Sequence, residues 1–278
     1  MVTPRFPYHR RQPWRSTCHW IAIVLCGLGL AGTAGAQDDS APTSTVTIDI
    51  EGRRPPSPSP SLLDAWLTVE RETTVNWSRA FVARDDATAE DRQRQRRLDA
   101  ELEGLAMQAR LLAAPRVDNG LEAWREAIGK LDKSRIPGRV DPTWLMAHLR
   151  QVPQLEDVDA LGWCQTPDWI EAWTPLGVTR LAWEPGMTTD TLLARLDGDA
   201  YTGADTLQLV SPQGEIHRLG IAAWNHQRAP LVPGTRVVVA LPLDSVGAQW
   251  VDMALPQFLA TRLPGDECIT LDPAHLYQ

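Results

Sequence analysis

Residues of the types that carry out enzyme chemistry occur in this chain, but they lack the spacing that common catalytic sites require. The four histidines after residue 36 are His148, His217, His226 and His275, and no two of them are spaced as metal ligands. The sequence also contains no nucleophile elbow, no cluster of metal ligands and no phosphate-binding loop. These absences predict a protein that is not an enzyme and that uses no cofactor and no metal.

Two abundant residue types keep one enzymatic alternative open. The chain has 35 Asp and Glu residues, and a glycosidase needs two carboxylates flanking the sugar bond, a pair that sequence alone does not identify. Ten of the 12 tryptophans follow residue 36. Their rings either stack on sugars or, more commonly, fill the core. A carbohydrate-active enzyme of the two-carboxylate type is therefore the alternative to a binding protein.

The charge distribution argues against a nucleic-acid-binding protein. The 278 residues carry a formal net charge of −8, and the four arginines of residues 1–36 are not accompanied by any acid. Without them, 23 basic residues stand against 35 acidic ones. A chain that acidic is a poor ligand for nucleic acid or for an anionic membrane, so we expect no nucleic-acid partner and only indirect contact with a membrane.

Residues 1–36 have the pattern of a secretory signal peptide. A basic stretch precedes the apolar run Ile21–Leu30, and Ala34-Gly35-Ala36 offers a cleavage site near Ala36. An uncleaved anchor and a lipoprotein modified at Cys26 are the alternatives. In an oxidising compartment the remaining cysteines, Cys164 and Cys268, either form a disulfide or stay as two buried thiols.

The first half of the chain after the leader mixes strand and helix patterns. Residues 46–50 alternate apolar and polar side chains, which predicts a strand ending at Gly52, and the proline-rich stretch 53–61 predicts a connector. Ser61 is a suitable cap for a helix that begins at Leu62. Residues 87–112 and 121–131 carry apolar residues at helical spacing, with the break at 115–120, and predict two antiparallel helices.

The second half reads mainly as strands. Segments 169–172 and 178–183 flank a Thr-Pro-Leu-Gly turn, and Thr188 or Thr189 is expected to cap a short helix. Segments 205–210 and 215–221 predict a hairpin across Ser211-Pro212-Gln213-Gly214. Val237-Val238-Val239 has the composition of a buried strand.

The last predicted helix is amphipathic, and two surfaces are candidates for covering its apolar face: the rest of the chain or a partner protein. Its apolar face includes Trp250, Leu255, Phe258 and Leu259, which either pack on the chain itself or bind a partner, and Pro256 predicts a break or kink. The residues expected on the polar face are Gln249, Asp252, Gln257 and Arg262.

These patterns predict an α+β protein. A hairpin, a crossing helix and further strands make up a β-grasp (ubiquitin-like, SLBB-related) module, and the first half has the layout of a second such module with a helical insertion. The predicted ranges are 1–36 for the signal peptide, 37–45 for a flexible leader, 46–166 for the first β-grasp domain with its insertion at about 87–133, 167–243 for the second β-grasp domain, 244–263 for the C-terminal amphipathic helix and 264–278 for a tail.

The second half also resembles a known family. The pattern Gly203-Ala204-Asp205, Ser211-Pro212-Gln213-Gly214, Trp224-Asn225, Leu231-Val232-Pro233-Gly234 and the following valine-rich run is similar to the capsule biosynthesis GfcC-like family and to β-grasp domains of outer-membrane polysaccharide exporters. The resemblance implies a periplasmic, non-enzymatic accessory protein of capsule or exopolysaccharide export. Its implied partner is an outer-membrane polysaccharide exporter or an acidic polysaccharide.

Five residues follow from this resemblance as candidates. Arg139 matches a Gly-Arg position after the insertion, and its guanidinium is suited either to grip a carboxylate or phosphate of an acidic glycan or to form a structural ion pair. Trp224, Asn225, Pro233 and Gly234 are expected to shape the loop and turn rather than to bind sugar. A purely structural spacer is the third alternative, after a binding protein and a carbohydrate-active enzyme.

Overall fold

The structure is a computed structural model that describes residues 59–276, with the side chains of residues 85–88 excepted. The predicted signal peptide, flexible leader and strand at 46–50, and most of the predicted proline-rich connector, lie outside the described residues. Both sheets described below belong to one compact unit.

Six α-helices and eight strands make up the described part of the chain. The helices are α1 (Leu62–Glu72), α2 (Asp85–Leu111), α3 (Pro115–Lys130), α4 (Pro142–Ala147), α5 (Thr189–Leu193) and α6 (Val246–Ala260). The strands are β1 (Ala80–Ala83), β2 (Ala160–Cys164), β3 (Trp169–Thr174), β4 (Gly177–Ala182), β5 (Thr206–Val210), β6 (Ile216–Gly220), β7 (Arg236–Val239) and β8 (Cys268–Leu271). The α+β class predicted from the sequence is confirmed.

The larger sheet contains five strands in the order β4-β3-β7-β5-β6. Both predicted hairpins, β3 with β4 and β5 with β6, are confirmed, and the central pair β3 and β7 is parallel. Thr188 caps α5 through a capping box, as expected. One face of the sheet packs under α5 through Ile170, Leu207 and Val237, and the other packs against α2, α3 and α6.

The smaller sheet corrects the expected tail at 264–278. Its order is β1-β2-β8, all antiparallel, so residues 268–271 form a strand that pairs with β2. Cys164 and Cys268 occupy paired positions on β2 and β8 and are joined by a disulfide. The segment is therefore tied to the fold by backbone hydrogen bonds and by a covalent bond.

The predicted pair of antiparallel helices is confirmed as α2 and α3, with one change in boundary. Pro115 begins α3 instead of only ending α2, because proline is tolerated in the first helical turn. Trp124 is fully buried, and its Nε1 donates to the Thr174 carbonyl at 2.8 Å. This hydrogen bond ties the helical hairpin to the turn between β3 and β4.

Helix α6 packs on its own chain, which corrects its assignment as a partner-binding surface. Leu255, Phe258 and Leu259 are fully buried against α2 and the larger sheet, so their side chains are not available to a partner. Trp250 is partly buried, with the Arg97 guanidinium 4.2 Å from its ring centroid. Pro256 lies inside the helix and does not break it.

Arg262 is also placed differently from the sequence-based expectation. The sequence predicts it on the polar outer face of the last helix, but its side chain is almost fully buried and is paired with Asp91 of α2. Among residues 59–276, no helix is both long enough and apolar enough to cross a membrane.

Candidate functional site

A polar cleft of about 420 Å³ contains the sequence-predicted residue Arg139. Three separate stretches of chain meet there: the approach to β1, the segment before α4, and the turn between β5 and β6. The side chains that give the cleft its chemistry are Trp77, Ser78, Arg139, Asp141, Gln213 and Glu215. One aromatic ring, one cation, two carboxylates and one amide therefore line a single opening.

The segment that carries Arg139 is held by its backbone and by a helix cap. Gly138 has a φ of +125°, a value that favours glycine, and its N–H donates to the Gln213 carbonyl at 2.7 Å. Asp141 caps α4, since its Oδ1 accepts a hydrogen bond from the Trp144 backbone N–H at 2.9 Å. The arginine thus projects from a short segment that is fixed at both ends.

Arg139 forms an ion pair with Asp141 and keeps part of its guanidinium available. Both Nε and Nη2 lie 3.0 Å from Asp141 Oδ2. The Arg139 side chain is 52% exposed, and Nη1 has no hydrogen-bond partner among the described residues. The structural ion pair and the ligand-binding role, which were alternatives in the sequence, are compatible in this geometry.

Trp77 supplies an aromatic surface that sequence reasoning did not single out. Its ring packs edge-on against Trp66, with 5.3 Å between ring centroids and 84° between planes, and it remains partly exposed where it lines the cleft. In the turn between β5 and β6, Gln213 Nε2 donates to the Ser78 carbonyl at 3.1 Å. The Trp77 ring and the Gln213 amide are therefore held in position before a ligand binds.

One of the two carboxylates of this cleft, that of Asp141, is poorly arranged for hydrolysis. Both oxygens of Asp141 already accept hydrogen bonds, one from Trp144 and one from Arg139. A retaining or inverting glycosidase needs one carboxyl group free to exchange a proton with the substrate. Among the described residues, no group of three or more His, Cys, Asp or Glu side chains is placed to hold a metal ion.

The other residues singled out in the sequence lie outside this cleft. Trp224 is 76% exposed, while the Asn225 side chain donates to the Asp205 carbonyl at 3.0 Å and so fastens the loop after β6. Gly234 has a φ of +82° and its N–H donates to the Trp169 carbonyl at 2.7 Å. The Pro233 carbonyl accepts from Arg79 Nη2 at 2.5 Å. Asn225, Pro233 and Gly234 thus shape the loop and the turn.

A second cavity, of about 370 Å³, lies between α6 and the larger sheet and contains Asp252. Burial raises the pKa of Asp252 to about 6, although a hydrogen bond from the Leu241 backbone N–H and the charge of Arg218 act in the opposite direction. Asp252 is the single carboxylate in the lining of this cavity. A two-carboxylate mechanism therefore has no second group here.

Comparison with known proteins adds no family assignment. No protein-family model matches the chain, and no curated protein is significantly similar to it.

Proposed function

We propose that the protein is a periplasmic, non-enzymatic accessory protein of capsule or exopolysaccharide export that binds an acidic polysaccharide in the Arg139 cleft. The observation that carries this proposal is the meeting of Trp77 and Arg139 in one cleft. An aromatic ring stacks on the apolar face of a sugar, and a guanidinium binds a carboxylate or phosphate through charge-assisted hydrogen bonds. Gln213 adds a donor and an acceptor for hydroxyl groups.

The topology of the larger sheet supports the β-grasp part of this proposal. Two hairpins flank the central strand β7, which is parallel to β3, and α5 lies between the hairpins in sequence and covers one face of the sheet. This arrangement is what a β-grasp module at residues 167–243 requires. A second β-grasp module at residues 46–166 is part of the proposal as well, although its third described strand comes from β8.

The proposed partner is an outer-membrane polysaccharide exporter. Because the apolar side of α6 is buried within the chain, we propose that contact with the exporter uses other surfaces than Leu255, Phe258 and Leu259. Binding through the cleft favours a carrier or assembly role over hydrolysis, since Asp141 is engaged on both oxygens.

The test of this proposal is titration calorimetry with acidic oligosaccharides from capsular polymers. Arg139→Gln removes the cation and keeps a hydrogen-bonding side chain of similar reach. We expect it to weaken binding by about 10- to 100-fold, the effect of losing a charge-assisted hydrogen bond of about 1.5–3 kcal/mol. Arg150→Gln is the matched control, because Arg150 is also exposed but does not line the cleft. Equal affinities of the two variants would refute the assignment of the cleft.

A further inference from the structure

A third cavity, of about 370 Å³, lies beside the Arg139 cleft and contains a buried arginine at its wall. Arg135 is only 3% exposed, its Nε donates to the Arg262 carbonyl at 2.9 Å, and its backbone N–H donates to the Thr261 carbonyl at 2.8 Å. Neither Nη1 nor Nη2 of Arg135 has a hydrogen-bond partner among the described residues. The guanidinium is therefore fixed at Nε, while its two outer nitrogens have no protein partner in the described part of the chain.

The charges around Arg135 do not balance. Four arginines are almost fully buried in this part of the fold: Arg79, Arg135, Arg236 and Arg262. Glu171 is paired with Arg236, and Asp91 is paired with Arg262, but neither Arg79 nor Arg135 is paired with a carboxylate of the described residues.

This imbalance has a clear energetic consequence. Burial, together with the positive charges of Arg236 and Arg79, lowers the pKa of Arg135 to about 9. A buried cation without a counter-ion is costly. A bound anion would provide the missing negative charge.

The cavity offers both the charge and the room for such an anion. Its charged lining residues are Arg84, Arg94, Arg135, Glu90 and Asp91, and its uncharged polar lining residues are Ser134, Gln257 and Thr261. Asp91 is already committed, because it pairs with Arg262 and Arg94 and accepts a hydrogen bond from the Thr261 hydroxyl at 2.9 Å. Glu90 is exposed and lies at the helix surface. Arg135 is thus the cation at the buried end of the cavity, and Ile136, Pro137 and Ile216 provide an apolar wall.

We infer that this cavity is an anion-binding site in which the Arg135 guanidinium binds a carboxylate or phosphate group of a small ligand. The site is distinct from the Arg139 cleft, because the close contact of Pro137 with Gly214 and the hydrogen bond from Gly138 to Gln213 lie between their linings. The inference does not depend on the proposed function, since it follows from the charge balance around Arg135.

The test uses three probes on protein expressed from the full chain: inorganic phosphate, sodium glucuronate and glucose, at constant ionic strength. Binding is followed by the shift in unfolding temperature, which rises with ligand when only the folded state binds, and by the ¹⁵N spectrum of the arginine Nε–H groups. We expect phosphate or glucuronate to bind and to move the Arg135 resonance, and glucose to do neither. The anion that binds more tightly identifies the source, a phosphate group or a sugar carboxylate.

Two variants separate the site from general effects of anions. Ile216→Trp fills the cavity without touching the hydrogen bonds of Arg135, whereas Ile269→Trp places the same ring on the exposed face of β8. We expect Ile216→Trp to weaken anion binding at least about tenfold, while Ile269→Trp stays within about twofold of the unmodified protein. Arg135→Lys should retain part of the affinity, because it keeps the charge and loses the planar fork.

The result that would overturn the inference is specific. If neither anion binds more tightly than glucose, or if Ile216→Trp binds anions as well as Ile269→Trp does, Arg135 does not form an anion site. Only anion binding that moves the Arg135 Nε–H resonance is assigned to this cavity, because the Arg139 cleft is also proposed to bind carboxylate and phosphate groups.

Discussion

Glu171 and Arg236 face each other across the parallel pair β3 and β7, with Glu171 Oε1 3.2 Å from Arg236 Nε. Both side chains are buried. Glu171 also accepts hydrogen bonds from Trp173 Nε1 at 2.9 Å and from Arg180 Nε at 2.8 Å. Burial lowers the pKa of Arg236, and Glu171 opposes that effect. This carboxylate therefore stabilises the charge at the centre of the larger sheet.

Removing the charge of Glu171 should destabilise the fold strongly. Glu171→Gln leaves Arg236 buried without its counter-ion, and breaking a buried pair in this way costs about 3–5 kcal/mol of the free energy of unfolding. Chemical denaturation measures the change. Glu184→Gln is the control, because Glu184 pairs with Arg195 at 2.7 Å in an exposed position, where we expect little effect. Similar losses of unfolding free energy in Glu171→Gln and Glu184→Gln would contradict a larger contribution of the buried pair to stability.

Two glycines of α3 should respond in opposite directions to the same substitution. A Cβ at Gly120 would lie 2.0 Å from the Pro175 carbonyl oxygen, whereas a Cβ at Gly129 has no neighbour within 4 Å. Gly120→Ala should destabilise by about 1–3 kcal/mol, since the helix must move away from the β3–β4 turn. Gly129→Ala should stabilise by about 0.5–1 kcal/mol through higher helix propensity. Thermal unfolding of the two variants distinguishes them, and stabilisation by Gly120→Ala would show that α3 does not approach this turn so closely.

Asp252 should make stability fall as the pH rises through the acidic range. Its pKa is raised from 3.8 to about 6 in the folded protein, so the folded state binds this proton more tightly than the unfolded chain. The resulting loss of stability develops between these two pH values and is constant above them. Asp252→Asn keeps an acceptor for the Leu241 N–H and removes the titration. We expect the free energy of unfolding of Asp252→Asn, relative to that of the unmodified protein, to rise as the pH increases from 3.8 to about 6. A difference between the two proteins that does not change with pH would contradict the raised pKa.

Local signals in the sequence were sufficient for the helices and hairpins of the larger sheet. The turn at Ser211–Gly214, the cap at Thr188 and the leucine spacing of α2 each act within a few residues, and the structure has all three. The smaller sheet was missed because β1, β2 and β8 are short and come from distant parts of the chain. Such pairing depends on tertiary contacts that no local pattern encodes.

The candidate sites show the same limit. Arg139 was found because its neighbours form a recognisable motif, but Trp77 and Gln213 join it only through folding. Helical spacing predicts Arg262 and Asp252 on the solvent-facing side of the last helix, because the polar residues of an amphipathic helix usually face water. Their burial depends on a partner charge, Asp91, and on a cavity under the helix. Helical spacing predicts neither the ion pair of Arg262 with Asp91 nor the cavity that contains Asp252.

The most direct measurement of the central claim changes the ligand instead of the protein. Titration calorimetry compares an acidic capsular oligosaccharide with the same oligosaccharide after its carboxylates have been reduced to hydroxymethyl groups. We predict that reduction weakens binding to the unmodified protein by about 10- to 100-fold and has little effect on the weaker binding of Arg139→Gln. Equal affinity of the unmodified protein for the two oligosaccharides would contradict recognition of an acidic glycan by Arg139.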